Sequence, residues 1–550
     1  MHISISKVNF TSIGINIAKV DFGRYDSGGV AEYYGMYVTP ADASAISVTP
    51  NDSYYTLHGK YLKYSLNGKK WKDWNGSVTI KPEQKMYLKG EDDYVWNSST
   101  SGILITSDGY YNVGGDISSL TNEIVDVKEY TFSKLFYEDR YIKDASSLIL
   151  PANTLASYCY QYMFSWCTSL TNSPELPATT LASNCYSYMF KGCTSLTTAP
   201  ALPATTLADY CYNNMFYGCT SLTTAPTLPA TTLAYGCYQY MFQNCSSLTT
   251  APKLPATILP YYCYSYMFNG CTSLTTAPEL PATTLADFCY QGMFYLCRSL
   301  RTAPELPATT LSTGCYINMF KNCSSLITAP ALPATTLVKY CYQSMFNGCT
   351  SLTTVPELPA TTLTQYCYYQ MFYRCPNLNY IKCLATNISA SNCTTNWVYG
   401  VAGRGTFVKA ANMTGWTTGV NGIPSGWTVE DYTEPVVTEP IVVDETTFTG
   451  VTLTVDGSQP SIVASGSTTI VWGDLASSIP SGKTVEVSVV VVNTGNSALT
   501  PTMSGNHKMM GAGNITIQPL ELGLYKAKYI SEVNVWLVEA IHQEVSGVTE

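Results

Sequence analysis

Cysteine is the residue type in this 550-residue sequence with the widest chemical repertoire, and its positions are periodic. A pair of cysteines eight residues apart recurs every 26 residues, in nine copies, within residues 151–375. The leading cysteines run from Cys159 to Cys367 and the trailing ones from Cys167 to Cys375. Such an array could bind metal, form disulfides or supply nucleophiles.

The surroundings of the cysteines favour none of these chemistries. Zinc sites use closer cysteine spacings or paired histidines, and a nucleophilic cysteine needs a histidine nearby. If each unit contains a helix, equivalent cysteines on neighbouring helices are about 8–10 Å apart, beyond the roughly 7 Å Cα limit of a disulfide. We therefore expect buried structural thiols, no metal and no cofactor, with only Cys383 and Cys393 left open as a pair. The four histidines all lie outside the repeats: His2, His58, His507 and His542.

Carboxylate chemistry is also not indicated. Glycoside cleavage needs two acidic side chains at a fixed separation, and no acidic position recurs in the repeats with a partner at a useful spacing. The sequence therefore predicts no catalytic residue, and a glycan-degrading enzyme is kept only as a second alternative.

Charge and hydropathy exclude two partners. The net charge of −9 provides no basic stripe for nucleic acid. The start Met1-His2-Ile3-Ser4 has no basic, apolar signal pattern, and no apolar run approaches the roughly 18 residues of a membrane helix. We expect a chain that is neither exported by the usual route nor inserted in a membrane.

The spacing of apolar residues within a unit predicts a helix. Gly or Asn precedes many trailing cysteines, as at Gly218 and Asn244, where a left-handed residue would end that helix. Thr206, with Asp209 three residues on, resembles an N-cap. The segment 221–225 suits a short strand that stops at Pro226. In the third unit, the apolar residues that lie on one face of a helix are Leu207, Cys211, Met215, Phe216, Cys219 and Leu222.

Units of this kind must stack to share a core. Since strands pack about 4.8 Å apart and helices about 8–10 Å apart, the stack should curve. The predicted fold class is an α/β leucine-rich-repeat solenoid of about nine strand-helix units, flanked by all-β domains.

The repeat resembles the BspA-like leucine-rich repeats. The resemblance rests on the run Met-Phe-x-Gly-Cys-Thr-Ser-Leu at 189–196, 215–222 and 267–274, and on Leu-Pro-Ala-Thr-Thr-Leu at 202–207. Residues 379–383, 405–409 and 422–429 look like that family's terminal cap, and 62–74 with 85–90 like the β module ahead of such repeats. The resemblance covers about 50–430. It implies a surface protein of the adhesion type, from gut or oral bacteria or their phages, with no catalytic motif to carry over.

The flanks divide the chain further. Asn67-Gly68 between alternating segments signals a β-hairpin. Strand-like alternation at 451–455, 469–472, 485–491 and 533–538 predicts a C-terminal sandwich. The predicted domains are an N-terminal attachment element (1–47), a small β domain (48–127), the capped solenoid (128–429), an acidic proline-containing linker (430–445) and a β-sandwich-like domain (446–550).

The positions that the repeat leaves variable form the candidate binding surface. They are rich in Tyr, Asn and Gln, a composition that suits adaptable recognition. An ordinary low-charge outer face would have the same composition, so both interpretations stay open. The candidates are Tyr210, Asn213, Asn214, Tyr217, Tyr235, Gln239, Tyr240, Gln243, Tyr261, Tyr262, Tyr266 and Asn269.

Two functions follow as expectations. The first is a non-enzymatic phage virion appendage, a head or tail fibre or decoration protein, on the virion surface. Its N-terminal element would dock to other virion proteins and its solenoid would bind a host-surface glycan or protein. A homo-oligomer is one form that this protein could take. The alternative is a bacterial cell-surface adhesin.

Overall fold

The computed structural model describes residues 35–41, 45–50, 62–74, 77–90, 103–122 and 124–432, and seven strands farther on. The chain forms two compact units, Met1–Tyr432 and Thr433–Glu550. Residues 1–34 and 42–44 of the predicted attachment element are not among the described residues. Neither are residues 433–445 of the predicted linker.

The first unit begins with a β module. A six-stranded sheet has the order β4-β3-β6-β1-β8-β9, and β5-β2-β7 form a second sheet. The predicted hairpin is confirmed, because β3 and β4 pair antiparallel around Gly68, whose φ is 69°. The strands are β1 (Tyr37–Pro40), β2 (Ala45–Pro50), β3 (Leu62–Ser65), β4 (Lys72–Asp73), β5 (Ser77–Thr79), β6 (Met86–Gly90), β7 (Ile103–Ser107), β8 (Tyr111–Asp116) and β9 (Ile142–Ile149), with a 3-10 helix at Ile117–Thr121.

The 26-residue units, which we call rungs, contain no α-helix anywhere in the described residues. The predicted strand-helix solenoid is therefore wrong, although the repeat itself and its period are present. The predicted N-cap, Thr206, and its partner Asp209 do not cap a helix either. Thr206 pairs with Thr232 of the next rung, and the Asp209 carboxylate accepts a hydrogen bond from Tyr235 N there (3.0 Å).

A ladder of tight turns replaces the helix, and its hydrogen bonds alternate. In the second rung, Ser187 N donates to Asn184 O (3.1 Å) within the rung, whereas Tyr188 N donates to Asn213 O (2.9 Å) of the next rung. Met189 N and Phe190 N repeat this alternation. Every second amide thus binds the neighbouring rung. A helix would keep these amides within one segment, so the stack is held together by direct backbone pairing.

Direct pairing changes the spacing between rungs. Backbones that exchange hydrogen bonds lie about 4.8 Å apart, not the 8–10 Å of packed helices. The prediction of a curved stack rested on the wider helices and loses its basis. So does the distance argument against disulfides between neighbouring rungs.

Each turn of the ladder needs one left-handed residue. In the second rung these residues are Asn184, Tyr188 and Gly192, four apart, with φ of 57°, 60° and 73°. The predicted left-handed conformation before the trailing cysteine is present, for example at Gly218 (72°) and Asn244 (61°), but it closes a turn and does not end a helix.

We predict that Gly270→Val destabilises the protein by about 1–3 kcal/mol, because its φ of 75° is strained for a β-branched residue. The matched control is Gly270→Asn, since Asn244 and Asn322 adopt this conformation at the equivalent place. Urea unfolding measures both variants. Equal stability of the valine and asparagine variants would contradict the turn geometry.

The core consists of columns of identical side chains. Phe242 stacks between Phe216 and Phe268 with centroids 5.6 and 5.7 Å apart, and Tyr238 stacks between Tyr212 and Tyr264 at 5.8 Å. These rings and the methionines of the repeat are buried. The apolar positions were therefore assigned to the core correctly, although the backbone that brings them there was not.

The repeat cysteines are buried, as predicted, and are free thiols. Each trailing thiol donates to a phenylalanine carbonyl of the preceding rung: Cys245 Sγ lies 3.1 Å from Phe216 O. Cys383 and Cys393 are also free thiols, and Cys393 Sγ donates to Ile388 O (3.2 Å). Burial raises the pKa of the thiols, to about 12 at Cys185 and Cys237.

The opposite side of each rung carries short parallel pairings where the sequence predicts a strand. Isolated bridges link Thr198 to Thr224 and onward through Thr354 to Tyr380. Two short strands, β10 (Ile258–Leu259) and β11 (Thr284–Leu285), pair in parallel.

Segments that depart from the repeat cover both ends of the solenoid. At the start, Phe132 and Phe136 stack on Tyr160 and Phe164. At the end, three parallel strands coincide with the segments that resemble a terminal cap: β12 (Tyr380–Cys383), β13 (Thr406–Ala410) and β14 (Thr428–Tyr432). Trp397 is fully buried beneath them.

The second unit consists of two sheets in the described residues, with orders β15-β17-β20-β21-β19 and β16-β18. The predicted strands at 469–472, 485–491 and 533–538 match strands here, and 451–455 lies outside the described residues. The strands are β15 (Ser461–Ala464), β16 (Thr469–Trp472), β17 (Thr484–Asn493), β18 (Thr502–Gly505), β19 (His507–Met510), β20 (Leu522–Ile530) and β21 (Val535–Gln543).

Candidate ligand-binding surface

The outward side of the turn ladder, which we call the turn face, carries the variable positions of the repeat. Nine of the twelve candidate side chains are exposed or partly exposed there. Three asparagines are buried instead: Asn213, Asn214 and Asn269. Asn213 Nδ2 donates to Gln239 Oε1 of the next rung (3.2 Å), and Asn214 Nδ2 donates to Asn213 Oδ1 (2.7 Å). These amides support the ladder from inside.

Five aromatic side chains lie together just before the leading cysteines of successive rungs. We call them the tyrosine cluster: Tyr210, Tyr235, Tyr261, Tyr262 and Phe288. Tyr235 is central, with ring centroids 5.1 Å from Tyr210, 6.4 Å from Tyr261 and 5.7 Å from Tyr262. Tyr235 and Tyr261 are 37% and 49% exposed, so the cluster presents ring surface to solvent.

Local backbone chemistry holds the cluster in place. A Cβ added at Gly236 would lie 2.6 Å from the Tyr210 ring, so the ring packs against the glycine backbone. A Cβ at Gly314 would meet Phe288 in the same way, at 2.5 Å. Asp287 Oδ1 accepts a hydrogen bond from Thr313 N (2.9 Å), as Asp209 does from Tyr235 N. Each carboxylate therefore holds the backbone of the neighbouring rung just before its leading cysteine.

Two hydroxyls of the tyrosine cluster, those of Tyr210 and Tyr262, have a raised pKa because burial disfavours the charged form. Desolvation raises the pKa of Tyr210 to about 12, and the hydrogen bond and negative potential of Tyr235 act in the same direction. A neutral phenol both donates and accepts hydrogen bonds. Rings with such tips can stack on an apolar ligand face and bind hydroxyls at its edge.

A second column of candidates lies beside the cluster on the turn face. Tyr240 and Tyr266 stack with centroids 5.3 Å apart. Tyr217 Oη accepts a hydrogen bond from Asn244 Nδ2 (3.5 Å). Gln239 and Gln243 lie partly exposed among them. The surface therefore alternates ring faces with amides.

Three further residues on the first rungs were not among the sequence candidates. Trp166, Tyr188 and Lys191 lie together beside Tyr217. The available signal was the single tryptophan at a position where six of the other eight repeats have Gly or Asn. Sequence reasoning treated that position only as a helix end and so missed its side chain.

Two features are absent from the residues that the structure describes. In the part of the chain that the structure describes, no group of three His, Cys, Asp or Glu side chains is placed to hold a metal ion. Among those same residues, no helix has the length and apolar character needed to cross a bilayer.

Comparison with known proteins identifies one family. The family model described as the BspA type leucine rich repeat region matches in six copies, over residues 133–275 and 264–394. These ranges contain the turn face and the tyrosine cluster. Comparisons with curated proteins and with solved structures gave no match.

Proposed function

Residues 133–394 belong to the BspA-type leucine-rich repeat family, and from this membership we propose that the chain is a non-enzymatic recognition protein that binds a host-surface glycan through its tyrosine cluster. Proteins with BspA-type repeats are typically surface or recognition proteins. The observation that carries the proposal is the exposed group of rings around Tyr235. Pyranose rings offer apolar CH faces and a rim of hydroxyls, which match such rings and their phenol hydroxyls.

The setting we propose for this binding is the surface of a phage particle. The solenoid would face the host, and the N-terminal residues 1–47 would dock to other virion proteins. A bacterial cell-surface adhesin is the alternative. Mass spectrometry of purified particles distinguishes them: the product found with capsid and tail proteins supports the phage appendage, and its absence from particles contradicts it.

A glycan array with the full-length protein tests the binding. We expect retention of specific glycans and a loss of about tenfold or more in affinity for Tyr235→Ser combined with Tyr261→Ser, since about 1.4 kcal/mol of lost stacking corresponds to a factor of ten. Both side chains are exposed, so the fold should tolerate the change.

The matched control is Tyr380→Ser. Tyr380 is 37% exposed, like Tyr235, but lies on β12, away from the cluster. Equal losses for the control and the double variant would contradict a role of the cluster. No binding to any glycan, with protease-sensitive binding to host cells, would replace the glycan with a protein ligand.

A further inference from the structure

A second aromatic site lies on the first three rungs, apart from the tyrosine cluster. The ammonium nitrogen of Lys191 is 5.9 Å from the ring centroid of Trp166, 5.2 Å from that of Tyr188 and 5.1 Å from that of Tyr217. Trp166 is 41% exposed. One cation is thus surrounded by three rings at the surface, where cation–π attraction holds it in place.

Glycines form the floor of this site. A Cβ added at Gly192 would lie 2.4 Å from the indole of Trp166, so the ring packs directly on the glycine backbone. At Gly218, in the next rung, the nearest atoms to an added Cβ are backbone atoms of Gly192, at 3.9 Å or more. At the positions equivalent to Trp166, the next two rungs therefore carry no side chain, which leaves room for a ligand above the glycine backbone.

Among the residues that the structure describes, Lys191 has no acidic partner. No described residue forms an ion pair with it, whereas Lys382 pairs with Glu357 and Lys409 with Asp431. Around Lys191, the columns of equivalent positions contain Ser165, Asn214 and the glycines. The nearest acid along the indole column is Glu138, on the far side of Trp166, where its N–H donates to Ser165 O (2.8 Å).

We propose that Trp166 and Lys191 bind a sugar residue that carries a carboxylate, such as a uronic or sialic acid unit. The apolar face of the pyranose lies on the exposed indole, and the carboxylate receives the Lys191 ammonium. A lysine on a flexible stem serves as a point charge that adapts to the position of the acid group. This inference rests on the proposed glycan-binding function and names the class of sugar for a second site.

Isothermal titration of the full-length protein with oligogalacturonate and with its methyl ester tests the proposal, because esterification removes only the charge. We expect about tenfold or tighter binding of the free acid, weakening as salt rises. Lys191→Gln removes this preference and Trp166→Ala abolishes binding of both forms. A sulfated oligosaccharide of the same length distinguishes a carboxylate from any sugar-borne anion: binding as tight as that of the acid would overturn the carboxylate assignment.

Two variants separate the site from general effects. Lys321→Gln is the matched control, since Lys321 lies 5.7 Å from the Tyr295 ring at the equivalent rung position, without a tryptophan. It should bind like the unaltered protein. Gly192→Asn keeps a left-handed residue, as at Asn244, but displaces the indole, and should reproduce the loss of Trp166→Ala.

The two proposals can fail separately. Equal affinity for acid and ester, or unchanged acid binding by Lys191→Gln, overturns the acidic-sugar site while array binding through the tyrosine cluster stands. Retained acid binding by the Tyr235→Ser, Tyr261→Ser protein, with loss in Lys191→Gln, supports this second site even if the cluster has no ligand.

Discussion

Raising the pH from 8 to about 10 is expected to lower the stability of the solenoid by roughly 6 kcal/mol. The ordinary pKa of a cysteine is 9.0, whereas burial raises the pKa of Cys185, Cys237, Cys375 and Cys383 to about 12. A raised pKa in the folded state means that the stability is fully present below pH 9 and is lost as the pH rises towards 12. At pH 10, deprotonation of each of these thiols in the unfolded chain lowers the free energy of unfolding by about 1.4 kcal/mol. Four together cost roughly 6 kcal/mol, within the whole stability of a typical domain, about 5–15 kcal/mol.

The measurement combines a pH titration of the tyrosine near-UV circular dichroism with the reactivity of the thiols. We expect the thiols to react with a disulfide reagent only when the tyrosine signal is lost, and then together. The control is the stability between pH 7 and pH 8, which should not change, because neither thiols nor phenols titrate there. Thiols that react near pH 9 while the ring signal persists would contradict their burial.

Phe242→Ala is expected to destabilise the solenoid by about 3–5 kcal/mol, because it removes a fully buried ring from the middle of a continuous stack. Since each rung contacts only its neighbours, the change should also divide the unfolding into two transitions. Urea unfolding followed by near-UV circular dichroism measures both effects.

Phe242→Leu is the matched control and should lose less than half as much, because leucine fills much of the space. A loss below about 1 kcal/mol in the alanine variant would mean that the ring is not enclosed by its neighbours.

The sequence predicts the composition of the core and the places where the chain turns. Periodic Cys, Met, Phe and Leu positions identify buried columns whatever backbone carries them. Glycine before the trailing cysteine, as at Gly218, identifies a left-handed residue because of its conformational freedom. Both features were correct.

The backbone between these points could not be derived in the same way. The four-residue spacing of Cys211, Met215 and Cys219 suits a helix of 3.6 residues per turn and a ladder of four-residue turns equally well. The distinguishing feature is a left-handed residue at every fourth position, but Tyr210 occupies one of these places and gives no such signal. Low helix propensity of the Tyr, Asn, Ser and Cys residues was the available warning.

The wrong backbone also explains why the sequence could not place every candidate residue on the surface. A helix places Asn213 and Asn214 on an outer surface. The ladder turns them inwards, where Asn213 donates to Gln239 of the next rung and Asn214 donates to Asn213. The contacts among Tyr210, Tyr235 and Tyr262 join successive rungs and depend on the rung spacing. The sequence of a single unit therefore could not predict them.

The distance between rungs tests direct backbone pairing most directly. Double electron–electron resonance between two spin labels measures this distance. Asp209→Cys and Lys339→Cys place labels at equivalent exposed positions five rungs apart, while the native thiols stay buried. Backbone-paired rungs predict a separation of about 24 Å, five spacings of about 4.8 Å. A separation of about 40–50 Å, as helices packed 8–10 Å apart would give, would contradict direct pairing and the aromatic surface built on it.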